Sequence, residues 1–162
     1  MDRHELFLCL GGNLGNKAEI FAETLLLIKK KIGKPVTVSS IYASPAFGFE
    51  SEFGFWNQVV RVQTKLAPIS VLEEIRKIEK RFGRIRKPGI YLSRKMDIDI
   101  LFYDLQVIES TELTIPHPSL SSRNFVLVPL FEICPVLVHP VTGKTIKELY
   151  ANCPDIPAVV KV

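Results

Sequence analysis

No apolar run in the chain approaches the ~20 residues that a membrane-spanning helix needs, so no membrane partner is expected. The N-terminus mixes charges of both signs around a very short apolar run and does not read as a signal peptide. Cysteine is scarce. Cys9, Cys134 and Cys153 are odd in number, widely spaced and form no CxxC pair, which argues against a disulfide framework or a zinc site. Buried thiols in a reducing compartment follow, and with them a cytoplasmic location. The basic excess is small, +4, and is not spread along the chain. It suits an anionic small molecule and does not call for nucleic acid. His4, His117 and His139 are scattered. Familiar catalytic motifs are missing too. Gly143-Lys144-Thr145 resembles the tail of a P-loop, but Val138 stands where its first glycine belongs. There is no GxSxG elbow and no HExxH helix. No linker, repeat or low-complexity tract divides the chain, so residues 1–162 are expected to form one domain.

What is present has a clear order. Glu5 to Leu10 reads as a buried strand ending in Gly11-Gly12, and Gly11-Gly12-Asn13-Leu14-Gly15 as a tight turn or an anion cradle ahead of a helix. Asn16 is placed to cap that helix, with Glu19 as its reciprocal partner. Phe21, Leu25, Ile28 and Ile32 make its core stripe, and Gly33 stops it. Val36 to Tyr42 reads as a strand, followed by a long loop from Ala43 to Phe55. Asn57 to Leu66 is the next strand. Pro68 opens a second helix with Val71, Ile75, Ile78 and Phe82 inward, and Gly83 ends it. Asp97 to about Tyr103 is a strand, and Val107-Ile108 with Leu113 to Ile115 a small hairpin. A third helix starts at Ser122 or Asn124 and runs to about Ile133, with Pro129 awkward outside its first turn. Lys144 to Tyr150 is a short last helix. The order β-α-β-β-α-β is that of a ferredoxin-like α+β sandwich: a mainly antiparallel sheet with two helices on one face. The C-terminal helices would cover the other face and complete three layers.

Arg84 to Ile100 carries the chemistry. Five basic side chains (Arg84, Arg86, Lys87, Arg94, Lys95) precede Asp97-Ile98-Asp99-Ile100. The alternation is a strand period, which points Asp97 and Asp99 the same way, roughly 6.5 Å apart. Two carboxylates so placed suit a hard cation such as Mg²⁺ that takes its other ligands from water and substrate phosphates. The basic cluster could hold those phosphates. A half-exposed strand with two solvated carboxylates fits the same pattern, and at this point both readings stand.

Several blocks together resemble one family. They are Gly11-Gly12-Asn13-Leu14-Gly15, Ser39 to Pro45, Phe55-Trp56-Asn57, Gly83 to Arg86, Arg94 to Leu101, and Pro116-His117-Pro118 with Arg123 to Leu130. In this order they resemble 6-hydroxymethyl-7,8-dihydropterin pyrophosphokinase, an enzyme of folate biosynthesis, over nearly the whole chain. The resemblance implies transfer of pyrophosphate from ATP, as co-substrate, to the pterin hydroxymethyl group, with AMP leaving. It implies two Mg²⁺ ions on Asp97 and Asp99, and phosphate contacts from Arg84 and Arg94. Glu79, Arg86, Tyr91, Ile100, His117 and Arg123 would attend the nucleotide. Ser44, Pro45, Phe47, Phe55, Asn57 and Phe125 would surround the pterin, with the ring between Phe55 and Phe125. ATP and the pterin are then the only partners, and a monomer is expected. The loops 43–56 and 83–96 would act as lids that exclude water.

The chain departs from the family's habits in places. Arg76 stands where Gln is common, Tyr91 where Trp is common, Phe55 for Tyr, and Pro118 for Tyr. Arg76, Tyr91 and Pro118 bear on adenine contacts and leave the reaction itself untouched. Two alternatives frame the expectation. A non-catalytic polyanion-binding module would need no magnesium, and the paired aspartates count against it. A nucleotidyltransferase on the same carboxylates would release pyrophosphate where the pyrophosphokinase releases AMP.

Overall fold

A computed structural model describes residues 2–44, 54–84, 93–155 and 159–162. The N-terminal apolar stretch becomes β1 (His4–Gly12), buried from Leu6 onward and running straight through both glycines. Helix α1 (Lys17–Lys31) follows. The Asn16 side chain accepts from the Glu19 amide at 3.2 Å, as expected of a cap. The expected return bond from the Glu19 carboxylate is not made among the described residues. Glu19 stays in water, where its charge still favours the positive helix end. Phe21, Ile28 and Ile32 are buried as predicted, but Leu25 is only half-buried and Thr24 lies deeper. The Thr24 hydroxyl is satisfied by donating to the Ile20 carbonyl at 2.7 Å.

The strand expected over Val36 to Tyr42 is in fact two, β2 (Gly33–Val38) and β3 (Tyr42–Ser44). Ser39 breaks it. Its hydroxyl accepts from the Val59 amide at 2.9 Å and donates to the Ser40 carbonyl at 2.7 Å, so a side chain takes a place in the ladder. Strand β4 (Phe55–Thr64) begins two residues before the predicted start. Helix α2 (Pro68–Arg81) opens on its proline. Strand β5 (Asp97–Tyr103) matches the prediction, and β6 (Ile108–Glu109) pairs with β7 (Thr114–Ile115) as the small hairpin. Helix α3 (Asn124–Ile133) keeps Pro129 in its middle, not in the first turn. Burial of Val126, Leu127, Pro129 and Leu130 holds the helix despite the lost hydrogen bond. Helix α4 (Ile146–Ala151) is followed by β8 (Val160–Lys161).

The main sheet runs β5-β1-β4-β3-β8, with β2 also paired to β4, and every pairing is antiparallel. Alternate residues of the strands feed two cores. Leu6, Leu8, Leu10, Val60, Val62, Ile98 and Ile100 face α1 and α2. Phe7, Cys9, Val59, Leu101 and Phe102 face α3 and α4. The result is the three-layer α+β sandwich of ferredoxin-like plan. All three cysteines are free, but only Cys9 is fully buried. Among the described residues no helix is long and apolar enough to cross a membrane.

Candidate active site

The register of the three central strands builds the floor of the site. Gly11 pairs with Asn57 on one side and with Asp97 on the other. Asn57, Gly11 and Asp97 therefore stand at one level across the sheet, and two strand spacings separate Asn57 from Asp97, about 9.5 Å. One step along, Cys9 is opposite Asp99. Cys9 belongs to the core beneath α3, so these residues share the face that α3 covers. The Cys9 thiol is held far above its usual range by burial and by the two carboxylates, so it stays protonated.

Asp97 lies at the centre of the charge. The Arg94 guanidinium comes within 3.4 Å and that of Arg84 within 3.8 Å. Arg94 also lies over the Phe55 ring at 4.8 Å. The strand alternation holds, with Ile98 and Ile100 inward and both aspartates partly open. The two carboxylates are thus hard oxygen donors on one face, which suits Mg²⁺. His117 Nε2 is 3.9 Å from Asp99. Burial first, then the charge of Arg123, pushes the His117 pKa down to about 4, so the ring is neutral near pH 7. Its Nδ1 accepts from the Ser119 amide at 3.2 Å, which leaves the proton on Nε2, facing the carboxylate.

Two supports here were not legible as such. Glu79, expected at the nucleotide, is buried on α2, and its carboxylate accepts from the Ile98 amide at 2.8 Å. Its carbonyl accepts from the Arg84 amide at 3.0 Å, so one residue fixes both the start of β5 and the root of Arg84. Asn13, read only as part of a turn, is 1% exposed and grips Arg94 from both sides. The Arg94 amide donates to its side chain at 2.8 Å, and its own amide donates to the Arg94 carbonyl at 2.8 Å. Gly12 itself lies within β1, and it is Gly15, at φ +74°, that uses glycine's freedom at the turn into α1. A Cβ at Gly12 would stand 2.3 Å from the Lys95 carbonyl oxygen, so only glycine allows the close approach. Ile100, also expected at the nucleotide, buries its side chain in the core beneath α1 and α2, leaving its backbone for any such contact.

Two aromatic rings also meet the charged groups, Phe55 under Arg94 and Phe125 under Arg123. Phe55 begins β4 and pairs with Ser44 of β3, both buried. Asn57 is buried, and its amide nitrogen donates to the Leu10 carbonyl at 3.5 Å. Phe125 sits in the first turn of α3, with Arg123 over its ring at 5.6 Å. The structure thus brings together Ser44, Phe55, Asn57, Glu79, Arg84, Arg94, Asp97, Asp99, His117, Arg123 and Phe125. Pro45, Phe47, Arg86 and Tyr91 lie outside the described residues, as do most of the two expected lids.

The family model described as 7,8-dihydro-6-hydroxymethylpterin-pyrophosphokinase matches residues 7–135. The chain is 36% identical over 150 residues to the 2-amino-4-hydroxy-6-hydroxymethyldihydropteridine pyrophosphokinase of Haemophilus influenzae, covering 92% of each. It is 37% identical over 157 residues to the folic acid synthesis protein fol1 of Pneumocystis carinii, spanning 96% of this chain and 21% of that one. The crystal structure of wild-type Plasmodium falciparum HPPK-DHPS with pteroate matches with a TM-score of 0.75 at 18% identity, over 93% of this chain and 44% of that chain. At that identity the likeness speaks for the fold alone.

Proposed function

Because the chain belongs to the 7,8-dihydro-6-hydroxymethylpterin-pyrophosphokinase family, we propose that it transfers pyrophosphate from ATP to 6-hydroxymethyl-7,8-dihydropterin, releasing AMP, in folate biosynthesis. The observation that carries this reading is the register that sets Asn57 and Asp97 on either side of Gly11. It offers a ring-reading amide two strands away from a metal-and-phosphate centre on the same face of the sheet. The hydroxymethyl oxygen attacks the β-phosphorus and gives up its proton to water, the bond from that phosphorus to the α–β bridging oxygen breaks, and AMP carries the electron pair away.

The residues divide the work. Asp97 and Asp99 would hold two Mg²⁺ ions, whose bound charge neutralises the phosphates. Arg84 and Arg94, already beside Asp97, reach phosphate oxygens as bidentate donors. His117, neutral with its proton on Nε2, donates a hydrogen bond there without adding charge. Arg123 supports the same phosphates, and the Ile100 backbone with Glu79 seats the nucleotide. Phe55 and Phe125 stack on the flat ring, Asn57 meets its amide-like edge, and Ser44 lines it. Arg86, Tyr91, Pro45 and Phe47 complete the two substrate sides. Phosphoryl transfer asks for placement and charge neutralisation more than a protein nucleophile, and that is what this set supplies. We extend the reading to residues 1–162 as one monomeric, cytoplasmic pyrophosphokinase domain. Three free cysteines support the cytoplasmic assignment.

The test is AMP formation from ATP and Mg²⁺, with and without 6-hydroxymethyl-7,8-dihydropterin. AMP that appears only with the pterin and stops on chelation supports the reading. Pyrophosphate release, or no AMP from folded protein, overturns it.

A further inference from the structure

We infer that Glu132 is a positioning residue that sets the width of the ring slot by tying the C-terminal end of α3 to the residues leading into β3, while Asp155 holds the first turn of α3 at its other end. The inference rests on the pyrophosphokinase reading of the site. One wall of the slot is Phe125, in the first turn of α3; the other is Phe55 with Ser44, paired across β4 and β3. Each wall is regular in itself, and among the described residues it is side-chain hydrogen bonds that join helix to strand.

Glu132 lies in the last turn of α3. One carboxylate oxygen accepts from the Tyr42 hydroxyl at 2.5 Å. The other accepts from the Ser40 amide at 2.9 Å and from the Ser40 hydroxyl at 3.3 Å. One side chain therefore gathers three donors from the residues that lead into Ser44. Burial alone would raise the Glu132 pKa, but the Tyr42 and Ser40 bonds, with the Lys161 charge, bring it below its ordinary value. Burial and the neighbouring carboxylate push the Tyr42 hydroxyl up to about 12, so it remains a donor.

The other end of α3 is tied differently. Arg123 gives the helix no side-chain cap. Asp155 takes that part: its carboxylate accepts from the Asn124 amide at 2.9 Å, and its carbonyl accepts from the Asn124 side chain at 2.7 Å. A carboxylate there also suits the positive end of the helix. The chain beyond Asp155 reaches β8, which pairs Tyr42 with Lys161 and Ala43 with Val160. The Val162 amide then donates to the Ile41 carbonyl at 2.9 Å. Glu132 stands about 10 Å along the helix from Phe125, so it acts on the slot through the helix and not by touching the ring. An error of about 1 Å in such a position is enough to cost a bound reactant its alignment.

The experiment is steady-state kinetics on the full chain, varying each substrate while the other saturates, with thermal midpoints measured in parallel. Glu132→Ala is expected to raise the pterin KM about tenfold, the equivalent of one net charge-assisted hydrogen bond, with the ATP KM within about twofold. Tyr42→Phe, which loses a single oxygen and keeps its ring, should give a smaller rise in the same direction, about threefold. Combined with Glu132→Ala it should add nothing, since both remove the same link. Asp155→Asn should also raise the pterin KM selectively, and Glu132→Gln should recover part of the loss through its remaining acceptor. An active wild type whose variants show an unchanged pterin KM, or equal rises for both substrates, overturns this proposal alone. A folded wild type that makes no AMP overturns the parent reading, and this one with it.

Discussion

A methyl group at position 12 has nowhere to go. Its 2.3 Å separation from the Lys95 carbonyl oxygen is a backbone clash, which no rotamer change can relieve. Gly12→Ala should therefore cost about 1–3 kcal/mol in denaturant unfolding and displace Arg94, lowering turnover along with stability. Asp97→Ala should do the opposite: turnover collapses while the unfolding midpoint changes little, and near-normal activity would remove Asp97 from the site. Phe55→Ala should weaken pterin binding far more than nucleotide binding, and equal losses would contradict stacking. Asp97 and Asp99 could be read from the sequence because their signal is local: alternation along one strand gives one shared face. Asn13 and Glu79 could not. Asn13 works by gripping a backbone some eighty positions later, and Glu79 by reaching the amide of Ile98 on another element. No window of sequence contains both partners.

At the scale of elements, ends and interruptions separate what was legible from what was not. Both helices flanking the first core began where a cap or a proline predicted. The last helix, expected over Lys144 to Tyr150, starts at Ile146 because Thr145 and Glu148 form a reciprocal capping box. Thr145→Ala should lower stability by about 1 kcal/mol, seen as a shifted denaturant midpoint with unchanged slope. The break between β2 and β3 escaped prediction because it is set by the bond the Ser39 hydroxyl accepts from the Val59 amide across the sheet, a partner twenty positions away. Pro129 misled for a related reason. Its local cost is real, but the apolar face of α3 is buried along its length and outweighs it.

For the molecule as a whole, the β-α-β-β-α-β order sufficed to give the sheet plan, since short connections and antiparallel pairing leave few other arrangements. The outermost strand was missed: β8 is two residues long and has no pattern of its own. Global stability should also depend on pH through His139, which is buried, and the half-buried His117. Burial lowers the His139 pKa from 6.5, and its Nδ1 accepts from the amides of Val141 and Thr142. The unfolded chain then takes up protons first, so stability is full above pH 6.5 and falls as pH drops from there toward the folded value. Urea midpoints should decline over that window, and His139→Gln should make the decline shallower, leaving the part due to His117. The pairing of Tyr42 with Lys161 also carries a meaning for synthesis. The two residues are made nearly a whole chain apart, so at ordinary elongation rates the slot's strand waits about 6–24 s for its outer neighbour. Until then the side of β3 that β8 covers stays open, so this corner of the sheet is completed after the strand that carries Asp97 and Asp99 has been made.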